Sequence, residues 1–147
     1  MKRAMGLTVT LLILASLAFA AYVRLAPSDP ARWHVPLAAG ADTDPWDQVV
    51  PMEGAAALRL SPAKGAPADL LTRLDTIALA TPRTTRLAGS PEEGRITWVT
   101  RSRLWGFPDY TTAEARPDGL YIHARLRFGK SDMGVNAARL TDWLSRL

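Results

Sequence analysis

The chain has no cysteine in its 147 residues. That rules out a disulfide framework, a thiolate metal site, a cysteine nucleophile and a lipid-modified cysteine. There are only two histidines, His34 and His123, far apart in sequence, so a histidine-rich metal site is not expected, and neither is any cofactor. Lysine is scarce beside arginine, 3 against 15, and asparagine occurs once, at Asn136. Arginine's planar fork suits carboxylates and phosphates, so this bias permits anion recognition without requiring it. The excess of positive charge is small: from residue 24 onward there are 16 basic and 14 acidic residues, a difference of +2. A nucleic-acid-binding domain needs a stronger basic footprint, so no nucleic-acid partner is expected. What charge asymmetry there is lies along the chain, with 5 basic against 7 acidic residues over 24–81 and 11 against 7 over 82–147.

Charge is absent altogether from residues 4–23, which follow Lys2 and Arg3. Twenty helical residues at about 1.5 Å each span about 30 Å, the thickness of a bilayer's hydrocarbon core. Residues 1–23 therefore read as a membrane segment, with the two basic residues held in the cytoplasm and the rest of the chain exported. Two forms of that reading stand side by side. In one, residues 4–23 remain as a single-pass inner-membrane anchor, with Tyr22 at interface depth and the domain in the periplasm of a Gram-negative-type envelope. In the other, Ala18-Phe19-Ala20 is the small-x-small site of a cleaved signal, which leaves a soluble periplasmic domain.

Residues 24–54 carry five prolines and no period of 2 or 3.6, so they read as an irregular tether; Trp33 and Trp46 are expected to rest on the domain or near the membrane. The domain proper is expected over 55–147. Residues 55–60 make a short strand, and Pro67 and Asp69 open a helix whose core face is Leu70, Leu71, Leu74, Ile77 and Ala78, ended by Pro82. Period-2 alternation then marks strands over 84–88, 95–104, 110–116 and 120–128, the last two joined at Pro117-Asp118-Gly119. A final helix over 132–147 places Val135, Leu140, Trp143, Leu144 and Leu147 inward, with an Asp142–Arg146 pair on its wet side. This order predicts an α+β fold: an antiparallel sheet with two helices packed on one face, preceded by an N-terminal transmembrane helix.

The runs TPRTTRLAGSPEEGRITWVTRSRLWGFPDYTTAE (residues 81–114) and RFGKSDMGVNAARL (127–140) resemble domain-of-unknown-function family 1499. The resemblance rests on an Arg-x-Gly-x-Ser-Asp-x-Gly-x-Asn turn at Arg127, Gly129, Ser131, Asp132, Gly134 and Asn136, and on Phe107-Pro108-Asp109. It implies a fold and an envelope location rather than an activity.

Polar groups concentrate where the last strand meets the last helix. Alternation turns Leu120, Ile122, Ala124, Leu126 and Phe128 to the core and Tyr121, His123, Arg125 and Arg127 to the other face. Arg101 and Arg103 share a face of their strand, as do Glu114 and Arg116 of theirs. The candidate anion site is therefore Arg101, Arg103, His123, Arg125, Arg127, Lys130, Ser131, Asp132 and Asn136, on an open sheet face and the turn beside it. Ser131 or Asp132 is expected as the N-cap of the last helix, whose free N–H groups lie there. The partner would be an anionic envelope component or a protein; the plainer alternative is a solvated face of cross-strand ion pairs. Residues 124–131, ARLRFGKS, match a relaxed phosphate-loop pattern, but their middle continues the strand and no later strand follows to supply a magnesium-binding aspartate. An enzymatic alternative is a small hydrolase using His123 with Asp109 or Asp132 and Ser102 or Ser131, though no nucleophile elbow is present and no catalytic residue is assigned.

Overall fold

The computed structural model describes residues 2–38 and 45–147; Met1 and residues 39–44 of the expected tether lie outside the described residues. Helix α1 (Lys2–Leu25) leads into a four-residue helix α2 (Pro30–Trp33), whose N-cap Asp29 accepts from the N–H of Ala31 at 2.9 Å. Six strands follow: β1 (Val49–Met52), β2 (Ala55–Leu60), β3 (Thr84–Ser90), β4 (Arg95–Arg101), β5 (Pro108–Arg116) and β6 (Gly119–Leu126). Helix α3 (Pro67–Leu79) lies between β2 and β3, and α4 (Val135–Arg146) closes the chain. The strands form one antiparallel sheet in the order β1-β2-β6-β5-β4-β3. The fold is α+β.

Helices α3 and α4 cover one face of that sheet. Leu70, Leu71, Leu74 and Ala78 of α3 and Leu140 and Trp143 of α4 meet Leu58, Ile96, Trp98, Leu120 and Ile122 in a single core. The two indoles of Trp98 and Trp143 cross edge to face at 5.8 Å. Buried Asp75 anchors this core by accepting from Trp98 Nε1 at 2.9 Å and pairing with Arg86. The expected Asp142–Arg146 pair forms at 3.1 Å.

The opposite face is also covered, contrary to the expected open surface. Residues 26–37, read from the sequence as irregular tether, form a strap across it, and residues 49–52 become edge strand β1. Trp33 stacks on Tyr110 with ring centroids 3.9 Å apart, and Leu37 and Trp46 pack on Tyr121. The physical reason is burial: with apolar groups on both faces, β4 and β5 are buried nearly continuously instead of alternately. Gly119 is needed where Trp46 packs on the sheet, since a Cβ there would lie 2.5 Å from the Leu60 carbonyl and 2.6 Å from Trp46.

Three further expectations are corrected. Strand β4 ends at Arg101, so Arg103 lies in the turn and not on a shared strand face. Strand β6 stops at Leu126, and Phe128 packs instead beside Phe107 and Tyr22. Helix α4 starts at Val135 with Gly134 as N-cap in the left-handed region, and Val135 is half exposed while Asn136 takes the buried position.

Over Arg3–Leu25, α1 is long and apolar enough to cross a membrane. Its C-terminal turns pack on the domain. Ala20 and Val23 are buried, Phe19 and Tyr22 lie 6.0 Å from Phe107 and Phe128, and Arg24 Nη2 donates to the Leu104 carbonyl at 2.7 Å. These contacts place one end of the sheet against the end of α1: the end of β4, the turn 102–107, the start of β5 and the loop 127–134.

Candidate functional site

The residues singled out from the sequence separate into three places. The first is the strap interface. Arg125 Nη2 donates to the Trp33 carbonyl at 3.1 Å, Arg127 Nη1 to the Pro27 carbonyl at 2.8 Å, and Arg116 Nη2 to the Leu37 carbonyl at 2.7 Å. Glu114 completes the attachment by accepting from the Leu37 N–H at 3.1 Å. Burial works against the Glu114 carboxylate, but the Leu37 N–H, Arg116 and Arg95 outweigh it and hold its pKa below the usual value. His123 lies in the same layer, its register partners being Ala57 and Thr112. Thr112 joins Thr97 at 3.0 Å, and Thr97 meets His34 Nδ1 of the strap at 3.0 Å. Both histidines are pushed toward the neutral form: His123 by burial and then by Arg125, His34 by burial and then by Arg95.

The second place is the turn into α4. Asp132 accepts from the N–H of Asn136 at 2.8 Å and of Gly134 at 3.2 Å, so it satisfies the start of the helix from two residues before the N-cap. Burial disfavours the Asp132 carboxylate, but those N–H groups and the Asn136 side chain outweigh it and lower its pKa. Asn136 Oδ1 accepts from Arg139 at 2.8 Å, and Arg139 reaches Asp109 at 3.3 Å. Burial raises the Asp109 pKa against the pull of Arg139. Ser131 accepts from the Met133 N–H at 3.2 Å, while Lys130 is exposed. A cleft of about 320 Å³ opens here between Phe107, Phe128 and Met133, with Asp109 and Asp132 in its lining. Of the family-like motif residues, Ser131, Asp132, Gly134 and Asn136 thus build one turn, while Arg127 holds the strap.

Asp109 faces α4, whereas His123 faces the strap, so the sheet stands between them; the triad pairing of His123 with Asp109 is not assembled. Among the described residues, no three His, Asp or Glu side chains come together as metal ligands would.

The third place gathers Arg101 and Arg103 with two residues that the sequence reading passed over, Arg24 and Arg83. The four line a cleft of about 480 Å³ at the end of the sheet next to α1, along with Thr85, Ser102 and Gly106. Arg83 arrives because the turn after α3 leads directly into β3, and its Nε donates to the Arg101 carbonyl at 3.1 Å. Arg101 Nη1 donates to the Gly106 carbonyl at 3.0 Å, and Arg24 to that of Leu104. Neutral carbonyls orient these guanidiniums but do not neutralise them. No carboxylate lines this cleft among the described residues, and none of the four arginines has an ion-pair partner there; Arg83, Arg101 and Arg103 also line an adjoining cleft of about 380 Å³ whose acids, Asp109 and Asp142, are paired with Arg139 and Arg146. Arg24, Arg83 and Arg103 are exposed. The one available signal for Arg24 was its position as the first charge after the apolar run.

The family described as protein of unknown function (DUF1499) matches residues 24–147, and the chain belongs to that family. The match takes in the strap as well as the sheet and helices. No curated protein and no solved structure matches the chain.

Proposed function

We propose that this DUF1499 protein is a single-pass inner-membrane protein whose periplasmic domain binds an anionic ligand at its membrane-proximal end. One observation carries the binding half of the reading: Arg24, Arg83, Arg101 and Arg103 line one cleft that has no acid in its own lining among the described residues. Like charges held together with no counter-charge destabilise the protein unless an anion joins them, and arginine forks suit the oxygens of phosphate or carboxylate. Arg101 and Arg103 come from the set expected from the sequence; Arg125 and Arg127 serve the strap.

The membrane half rests on Lys2 and Arg3 before an uncharged span, which keeps the N-terminus in the cytoplasm. Retention of the span is supported by the docking of Phe19 and Ala20 on the domain, contacts that cleavage after Ala20 would remove. Alkaline phosphatase fused after Leu147 is expected to be active, and the mature chain to keep residues 1–20 in the membrane fraction. A fusion inactive in the periplasm, or a mature N-terminus at Ala21, would refute the corresponding half. Binding is tested by calorimetric titration of the full chain in neutral detergent with sn-glycerol 1-phosphate. Arg103→Gln is expected to weaken it about fivefold, the effect of about 1 kcal/mol per arginine. An unchanged affinity refutes the site.

A further inference from the structure

The arginine cleft does not end at the domain. It shares Arg24 with an apolar groove of about 440 Å³ that runs along α1. One wall of the groove is a helical stripe that includes Leu12, Ser16 and Ala20; the other is the tip of the β4–β5 turn, Leu104 and Trp105. Leu104 is 72% exposed and Trp105 43% exposed, beside a helix that is itself exposed and apolar. Ser102 Oγ accepts from the Phe107 N–H at 3.0 Å and Ser102 N–H donates to the Phe107 carbonyl at 2.9 Å, which closes the base of the turn and holds its tip out. In water such a tip would be unfavourable. Beside a membrane-spanning α1 it lies in the outer leaflet, with tryptophan near the interface.

From Arg24 to Leu12 the helix rises about 18 Å, close to half the thickness of the hydrocarbon core. A groove that is basic at head-group level and apolar below it fits one molecule with both characters. Resting on the proposed anion site, we infer that the cleft and groove together hold an anionic phospholipid of the outer leaflet, its phosphate among Arg24, Arg83, Arg101 and Arg103 and an acyl chain between α1 and Leu104-Trp105. The charge complementarity is one-sided, as the lining contains four arginines and no acid among the described residues. The same arrangement explains why the turn is long and apolar where a short polar hairpin would have served β4 and β5.

The test uses the full chain in phosphatidylcholine vesicles containing a small fraction of phosphatidylglycerol or phosphatidylcholine brominated on the acyl chain. Bromine quenches nearby indoles, and the part due to the groove is the difference between the chain and its Trp105→Phe variant. Brominated phosphatidylglycerol is expected to quench Trp105 more than brominated phosphatidylcholine at equal mole fraction. Arg103→Gln should weaken that preference about fivefold. Arg83→Gln should do the same, and quenching by phosphatidylcholine should persist in both variants. Equal quenching by the two lipids overturns the lipid inference. If glycerol phosphate still binds and Arg103→Gln still weakens it, the anion site survives that failure. If neither lipid preference nor glycerol phosphate binding is seen, both readings fall.

Discussion

Arg125 lies over the indole of Trp33, its guanidinium carbon 5.3 Å from the ring, and donates to the Trp33 carbonyl at 3.1 Å. These residues are 92 apart in sequence. The contact turns an arginine that alternation alone places on an open face into a clamp for the strap. Arg127 and Arg116 act alike on Pro27 and Leu37, so the strap is held mainly by side-chain donors to its carbonyls and by the stacked Trp33–Tyr110 pair.

Arg125→Gln is therefore expected to destabilise the domain by about 1–2 kcal/mol through loss of the cation–π contact and the bond to the strap. Arg103→Gln, in an exposed turn, is expected to change stability by no more than about 0.5 kcal/mol. Thermal denaturation of both variants in neutral detergent checks the contrast; equal shifts would contradict the two different roles.

The strap should loosen in acid. His34 and His123 both have folded pKa values below the ordinary 6.5, chiefly from burial. The unfolded chain then binds protons that the folded chain refuses, so this contribution is present above about 6.5 and is lost as pH falls through the lowered values. Asp109, with a raised pKa, acts in the opposite sense: its contribution is present below 3.8 and is lost as pH rises through the raised value. In an Asp109→Asn background, the melting temperature is expected to fall between pH 7 and pH 5, and His123→Gln to flatten the profile. A melting temperature that rises over that interval would be the wrong sign.

Asp132→Ala removes the acceptor for two N–H groups at the start of α4 and is expected to cost about 1 kcal/mol. Ser131→Ala, which removes one exposed turn bond, should cost less. Urea unfolding of the pair measures the difference, and a Ser131 effect as large as that of Asp132 would show that the capping role is misassigned.

Asp75→Leu should be among the more damaging single changes. It leaves the fully buried indole N–H of Trp98 without its acceptor and Arg86 without its ion pair, at a cost of about 1–3 kcal/mol for the unsatisfied group. Asp75→Asn keeps an acceptor for Trp98 and should cost less. The order of the two melting temperatures decides.

Several elements are legible without the fold because their signals are local. The core face of α3, with Leu70, Leu71, Leu74 and Ala78, follows from a 3.6 period between two prolines, and β2 at Ala55–Leu60 follows from a short apolar run. The α1 span follows from the absence of charge over 4–23. Helix α4 starts later than its cap residues suggest because Asp132 reaches forward to Asn136 rather than standing next to the first turn.

Residue type and period are enough to give the class of the protein: an apolar N-terminal span before an α+β domain, basic toward its C-terminal half. These features depend on residue type and period, which survive in one dimension. Only the three-dimensional packing sets which arginines line the cleft beside α1 and which hold the strap. Arg101 and Arg125 look equivalent along the chain, yet one lines a cleft with Arg24 and Arg83 and the other lies over the Trp33 indole. The cause is that the strap has no period of its own and takes its place only when the aromatic and arginine side chains of distant strands give it a surface. Arg24 and Arg103 line one cleft for the same reason, because α1 ends where the β4–β5 turn begins to project.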